Sequence, residues 1–169
     1  MRTVVHPGAP LPARAQAVEV EVSSSMRLVV PPGRDLFDVV HERLQAVRAD
    51  GGSFTLGEGT VDRLSVMTGG AGRDGLPMGF HGPRAMDGPL TVVAGAAGSG
   101  IDERGERFTH CHAAFRDSCR RLVGGHLIPG ETIAGTSGIV VELTALNGGR
   151  FRRRFDPETL FSIFHPERA

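Results

Sequence analysis

Three histidines carry the chemistry that the residue types and spacing of this 169-residue chain suggest most directly: His110 and His112 in His-Cys-His, and His126 after Gly124-Gly125. In an extended strand, side chains at i and i+2 leave the same face, so His110 and His112 form a two-ligand comb while Cys111 points the other way. Residues 107–115 and 122–128 read as strands joined by a short turn, and a hairpin symmetric about residue 119 pairs position 112 with position 126. Cross-strand Cβ atoms about 4.5–5.5 Å apart suit imidazoles that reach one ion at about 2.0–2.1 Å. Gly124 and Gly125 permit close backbone approach, or a bulge that would shift this register by one. The competing reading is three unrelated histidines on a half-polar strand. If they converge, the expected cofactor is Zn2+ or another divalent metal. Three imidazoles leave a fourth position open, which makes hydrolysis, hydration or decarboxylation of a small molecule available. An enzyme would also need acid–base and charge-stabilising groups. Glu58, Glu106, Glu131, Arg107 and Arg116 are of the right type, but spacing places none of them, so catalysis stays open.

A second cluster is Arg150, Arg152 and Arg154, which strand alternation puts on one face with Phe151 and Phe155 on the other. Such a stripe can meet nucleic-acid phosphates or simply protect an edge strand with charge, and the latter is preferred. Gly98-Ser99-Gly100 begins a glycine fingerprint with no helix behind it, so it reads as a turn. His41 flanks Glu42 and Arg43 off the apolar stripe and reads as a solvated surface histidine. Cys111 and Cys119 are too few for a disulfide scaffold and read as free thiols.

Alternating Val18, Val20 and Val22 mark one strand, and residues 26–30 mark another before Pro31-Pro32-Gly33. From Asp35, a candidate N-cap, Leu36, Val39, Val40, Leu44 and Val47 recur at helical spacing, with Gly51-Gly52 as the stop. Residues 54–68 form one or two strands. Residues 69–88, dense in glycine with two prolines, read as a long loop carrying His81 as a mobile or lid residue. Residues 90–97 form a strand, and Leu160 to Phe164 form a last strand that packs inward or against a neighbouring subunit. Residues 1–17 form an N-terminal arm and 18–169 a single domain.

Nineteen basic and nineteen acidic residues cancel, so no global field draws the chain to nucleic acid or an anionic membrane. Every basic residue is Arg, and Trp and Tyr are absent. Schiff-base lysines, a P-loop lysine and tyrosine acid–base chemistry are thereby excluded. No apolar run reaches membrane-spanning length and the amino terminus lacks a signal-peptide pattern, so the expected location is cytoplasmic.

On several of these segments the chain resembles the PPC domain family, the module conserved between plants and prokaryotes. They are Pro-Pro-Gly-Arg-Asp-Leu at 31–36 and the helix after it, Gly57-Glu58-Gly59-Thr60, His110-Cys111-His112-Ala113 and Gly124-Gly125-His126-Leu127. The likeness spans roughly residues 26 to 145. It implies an α+β fold, a mixed, strongly curved β-sheet with one main helix, assembled as a homotrimer, with a metal held by the three histidines. Plant members join this domain to AT-hooks with an Arg-Gly-Arg-Pro core, which makes DNA an alternative partner, but this chain has no such core. A more distant likeness to acetolactate decarboxylase, a zinc enzyme with His-x-His and a later His, suggests a small-molecule ligand at the metal.

Overall fold

The computed structural model describes residues 5–12, 16–73, 76 and 78–169. Parts of the expected arm (1–4 and 13–15) and of the expected loop (74, 75 and 77) lie outside the described residues. The elements in chain order are β1 (Glu21–Val30), α1 (Leu36–Ala46), β2 (Gly51–Gly70), β3 (Gly79–Ile101), β4 (Arg107–Arg116), β5 (Leu122–Asn147), β6 (Gly149–Asp156) and β7 (Phe161–Arg168). Strand accounts for 67% of the chain and helix for 7%. The α+β expectation is therefore corrected to a mostly-β fold with one short helix.

The helix arises as its sequence requires. The Asp35 carboxylate accepts from the Phe37 and Asp38 amides (2.9 and 3.2 Å), and its other oxygen accepts from the Thr132 amide on β5 at 3.0 Å. One buried side chain thus caps α1 and fastens its start to the sheet. Leu36, Phe37, Val40 and Leu44 are buried, a spacing that turns one face of the helix inward. The helix stops at Ala46, ahead of the expected glycine pair, where Arg48 adopts φ 52°. Gly51 and Gly52 instead open β2.

All seven strands join one sheet in the order β1-β5-β2-β3-β6-β7, with β4 pairing both β3 and β5. Because β2 also pairs β3 and β5, the strands β2, β3, β4 and β5 form a closed circuit of antiparallel ladders. Closure of so few strands requires strong coiling. One parallel bridge, Ile101 to Arg152, links β3 to β6 and makes the sheet mixed. The inward side chains of α1 and of the sheet form one core, with Phe54, Leu64, Phe115, Leu127, Ile139 and Leu143 among the buried ones.

Three local expectations are corrected. In place of the two strands expected at 18–22 and 26–30 there is a single β1 that starts at Glu21, leaving Val18 and Val20 ahead of it, with a register shift between Val22 and Ser24. Most of the glycine-rich stretch expected as a loop is strand, because β2 runs on to Gly70 and β3 starts at Gly79, pairing Thr68 with His81. His81 therefore lies on a ladder, its Nε2 3.0 Å from the Ala71 carbonyl oxygen. Gly98-Ser99-Gly100 is no turn either: it lies inside β3, with Ser99 fully buried. In the amino-terminal segment, the Gly8 and Leu11 amides donate to the backbone carbonyl and a carboxylate oxygen of Glu158 (both 2.9 Å), and Glu158 lies between β6 and β7.

Candidate metal centre

The β4–β5 hairpin closes as the symmetry about residue 119 requires. Asp117 accepts from the Arg121 amide and guanidinium (2.9 and 2.8 Å), Arg120 takes φ 64°, and His112 pairs directly with His126. No bulge intervenes between Arg116 and His112. The two glycines before His126 act through close approach: a Cβ at Gly124 would collide with the Ala113 carbonyl oxygen, and one at Gly125 with that of Met67. At this point β5 is squeezed between β4 and β2, and His126 faces His112 on one side and Met67 on the other.

The three imidazoles converge. Ring centroids are 4.8 Å apart for His110–His112, 4.7 Å for His110–His126 and 5.4 Å for His112–His126. Candidate ligand nitrogens all lie within 4.8 Å of one another. Nitrogens sharing a tetrahedral ion at about 2.0–2.1 Å stand about 3.3 Å apart, a closure that side-chain rotation supplies. His110 and His112 are exposed and His126 is half-buried. Burial, reinforced by His110 and His112, pushes the His126 imidazole down to about 4. Burial, then His112 and Arg153, lowers His110 as well. Both rings are thus held in the neutral form that coordinates metal at neutral pH. Among the described residues the buried Nδ1 of His126 has no hydrogen-bond partner, although an imidazole nitrogen in such a place normally finds a proton donor, an acceptor or an ion. The donor set and this orphaned atom both fit a divalent ion.

Beside the histidines lies a cavity of about 700 Å³, whose lining includes His110, His126, Arg153, Met67, Phe80 and Phe161. Phe80 stands 6.0 Å from the His126 ring and 5.8 Å from Phe161. Gly98 pairs with His110 on the neighbouring strand and packs under Phe151 and Phe164, where a Cβ would make ordinary contact at 3.7 Å. A Cβ at Gly100 would strike the Phe151 carbonyl oxygen. Gly100 therefore lets β6 approach β3 closely.

The accessory groups named from sequence stand elsewhere. Glu58 pairs with Arg27, Glu131 accepts from Ser65, and Arg107 donates to the Ala49 and Asp50 carbonyls. The Glu106 amide joins the turn built on Asp102, and Arg116 ends β4. None of the five lines the cavity. Arg153 does, with its guanidinium carbon 5.1 Å from the centre of the Phe108 ring and Nη1 3.1 Å from Glu103. Sequence reading passed over it, yet the signal was available, since Arg153 is the one charge on the phenylalanine face of β6. Arg150, Arg152 and Arg154 do share the opposite face, where all three meet one carboxylate, Glu167, at 2.9, 2.8 and 3.9 Å. His41 is corrected from a solvated residue to a half-buried one. Its Nε2 lies 2.7 Å from Thr109 Oγ1, which donates to the fully buried Ser99 (3.0 Å).

A mostly-β, self-closing sheet that gathers three histidines from one hairpin defines the class of protein. The family model for the Plants and Prokaryotes Conserved (PCC) domain, the PPC family under another abbreviation, matches residues 18–144, and the chain belongs to that family. Among solved structures, the chain is similar to a plant- and prokaryote-conserved protein of Pyrococcus horikoshii (TM-score 0.69, 15% identity, 92% of this chain and 100% of that one). It is also similar to a metal-containing protein of Archaeoglobus fulgidus (TM-score 0.68, 20% identity, 89% and 99%). A candidate DNA-binding protein of Ralstonia eutropha JMP134 has the same fold (TM-score 0.68, 19% identity, 82% and 89%). No curated protein matches. Among the described residues, no helix is long and apolar enough to cross a membrane.

Proposed function

We propose that this chain binds one divalent transition metal, zinc by preference, through His110, His112 and His126, and works as a cytoplasmic homotrimer. The observation that carries the metal is the convergence of three ligand nitrogens within 4.8 Å around a buried imidazole nitrogen that has no other partner among the described residues. Neutral nitrogen donors suit zinc better than the hard oxygen-seeking cations, and the similar A. fulgidus protein is described as metal-containing. A bound ion supplies Lewis acidity beside an apolar cavity, the setting of a small-molecule lyase or hydrolase. The histidines position it, and the phenylalanines give the cavity beside it an apolar lining. For the trimer, the support is the family resemblance together with large apolar side chains left exposed on β6 and β7, Phe155 and Ile163.

Metal analysis of protein purified without a histidine tag tests the site. About one ion per chain is expected, and none after His126→Gln; a metal-free protein that also fails to take up zinc overturns the reading. Sedimentation tests the assembly, with three times the 17.9 kDa chain mass expected. A second reading, DNA binding, has the label on the R. eutropha neighbour in its favour. It predicts retention on duplex DNA at low salt that weakens in the double variant Arg152→Ala, Arg154→Ala. Three guanidiniums drawn onto Glu167 make that reading the weaker one.

A further inference from the structure

The cavity beside the histidines is built for more than a metal. Its volume of about 700 Å³ falls within the range of about 300–1,000 Å³ usual for small-molecule sites. Much of the lining is aromatic and thioether, with Phe80, Phe161, Phe164, Met67 and Met78, and Phe80 and Phe164 stand 6.0 and 6.5 Å from the His126 and His110 rings. His110, His126 and the Arg153 guanidinium also line the cavity, and among the described residues no carboxylate does. Among the described residues Arg153 donates only from Nη1, to Glu103, which leaves the remaining edge of the fork for another acceptor. Phe80, on the rim, is 55% exposed although its ring touches His126 and Phe161. A large ring in that position gains from a planar apolar partner.

The geometry points to an aryl carboxylate as the occupant, its ring between Phe80, Phe161 and Met67 and its carboxylate toward Arg153 and the histidine cluster. The part of this inference that places the carboxylate near the ion rests on the metal reading. The aromatic wall and Arg153 do not depend on it. A carboxylate can accept from the edge of the Arg153 guanidinium that Glu103 leaves open, and a planar body matches the aromatic wall.

The test uses 2-naphthoate, whose fluorescence can be followed without interference because the chain has no Trp or Tyr. Full-length protein is titrated twice, once zinc-loaded and once after chelation, with metal content measured in each sample. Saturable binding of one naphthoate per chain is expected, at least about tenfold tighter than binding of neutral 2-naphthamide or of acetate, the loss that follows removal of a charge-assisted hydrogen bond or of the apolar body. Arg153→Gln is expected to abolish the preference for naphthoate over naphthamide. Comparison of the two probes on the unmodified chain keeps the inference testable if that variant does not fold. Equal affinity for both probes, or no saturable binding in either metal state, overturns it. If the protein takes up no zinc, the metal reading fails by itself, whatever naphthoate does.

Discussion

The two faces of β4 make opposite use of neighbouring residues. Outward, His110 and His112 are exposed and gather with His126 into a ligand cluster. Inward, Thr109 and Cys111 are almost wholly buried, Thr109 in a relay from His41 to Ser99 and Cys111 in the apolar core. Three consecutive residues, 110 to 112, thus divide between a ligand site and the core because a strand alternates its side chains. The lesson is that the site needs no loop of its own, since the strand pairings that close the sheet also place the ligands.

The largest expected contrast between the faces is chemical. Burial pushes the Cys111 thiol up to about 12, so at pH 8 only about one part in ten thousand is thiolate. Exposed Cys119 is expected to be alkylated in the native protein while Cys111 is spared until the chain unfolds, as mass spectrometry of iodoacetamide-treated samples would read. Modification of both at equal rates would mean that the inner face is open. Next comes loss of a ligand: His112→Ala is expected to cut zinc affinity by more than about a hundredfold with circular dichroism unchanged. A fall in folded signal as large as the fall in metal content would tie the outer face to the core after all.

Smaller effects probe what aligns the faces. Gly124→Ala forces a methyl group against the Ala113 carbonyl oxygen and is expected to cost about 1–3 kcal/mol in urea unfolding, along with some metal affinity. Thr109→Val leaves the buried Ser99 hydroxyl and the His41 ring without their shared partner and is expected to cost about 1–3 kcal/mol, with zinc stoichiometry preserved. The smallest effect concerns acid. His41 is held below its usual 6.5 mainly by burial, with Arg107 adding to it and Asp38 opposing. The unfolded chain therefore binds this proton more readily, and the stability the neutral ring contributes is full above pH 6.5 and declines as pH falls below it. The drop in melting temperature between pH 7.5 and pH 5.5 is expected to shrink in His41→Gln, and an unchanged drop would show that His41 is not responsible.

Local rules made the centre of the molecule legible. A two-residue alternation, a symmetric turn and the pairing of His112 with His126 are properties of one hairpin, and the structure reproduces that pairing. Asp35 could likewise be identified as a cap from its own neighbourhood. What escaped was set by distant contacts. The stretch 79–88 looks like loop in composition, yet it becomes strand because β2 supplies a ladder beside it. His41 lies off the helix's apolar stripe, and only the arrival of β4 covers it. Arg153 was masked by the louder arginines around it, and the cavity it enters exists only once β6 and β7 fold over β3. The helix starts where Asp35 predicts and ends before the expected glycine pair, and the α+β class gave too much weight to that one helix beside the seven strands described.

From His112 to Arg116, β4 has a hydrogen-bonded neighbour on each margin, β3 on one side and β5 on the other. Amides in that stretch are expected to be among the last to exchange with deuterium. An arriving ion would meet a socket whose backbone is already rigid, so capture should be quick and should leave the surrounding sheet almost undisturbed.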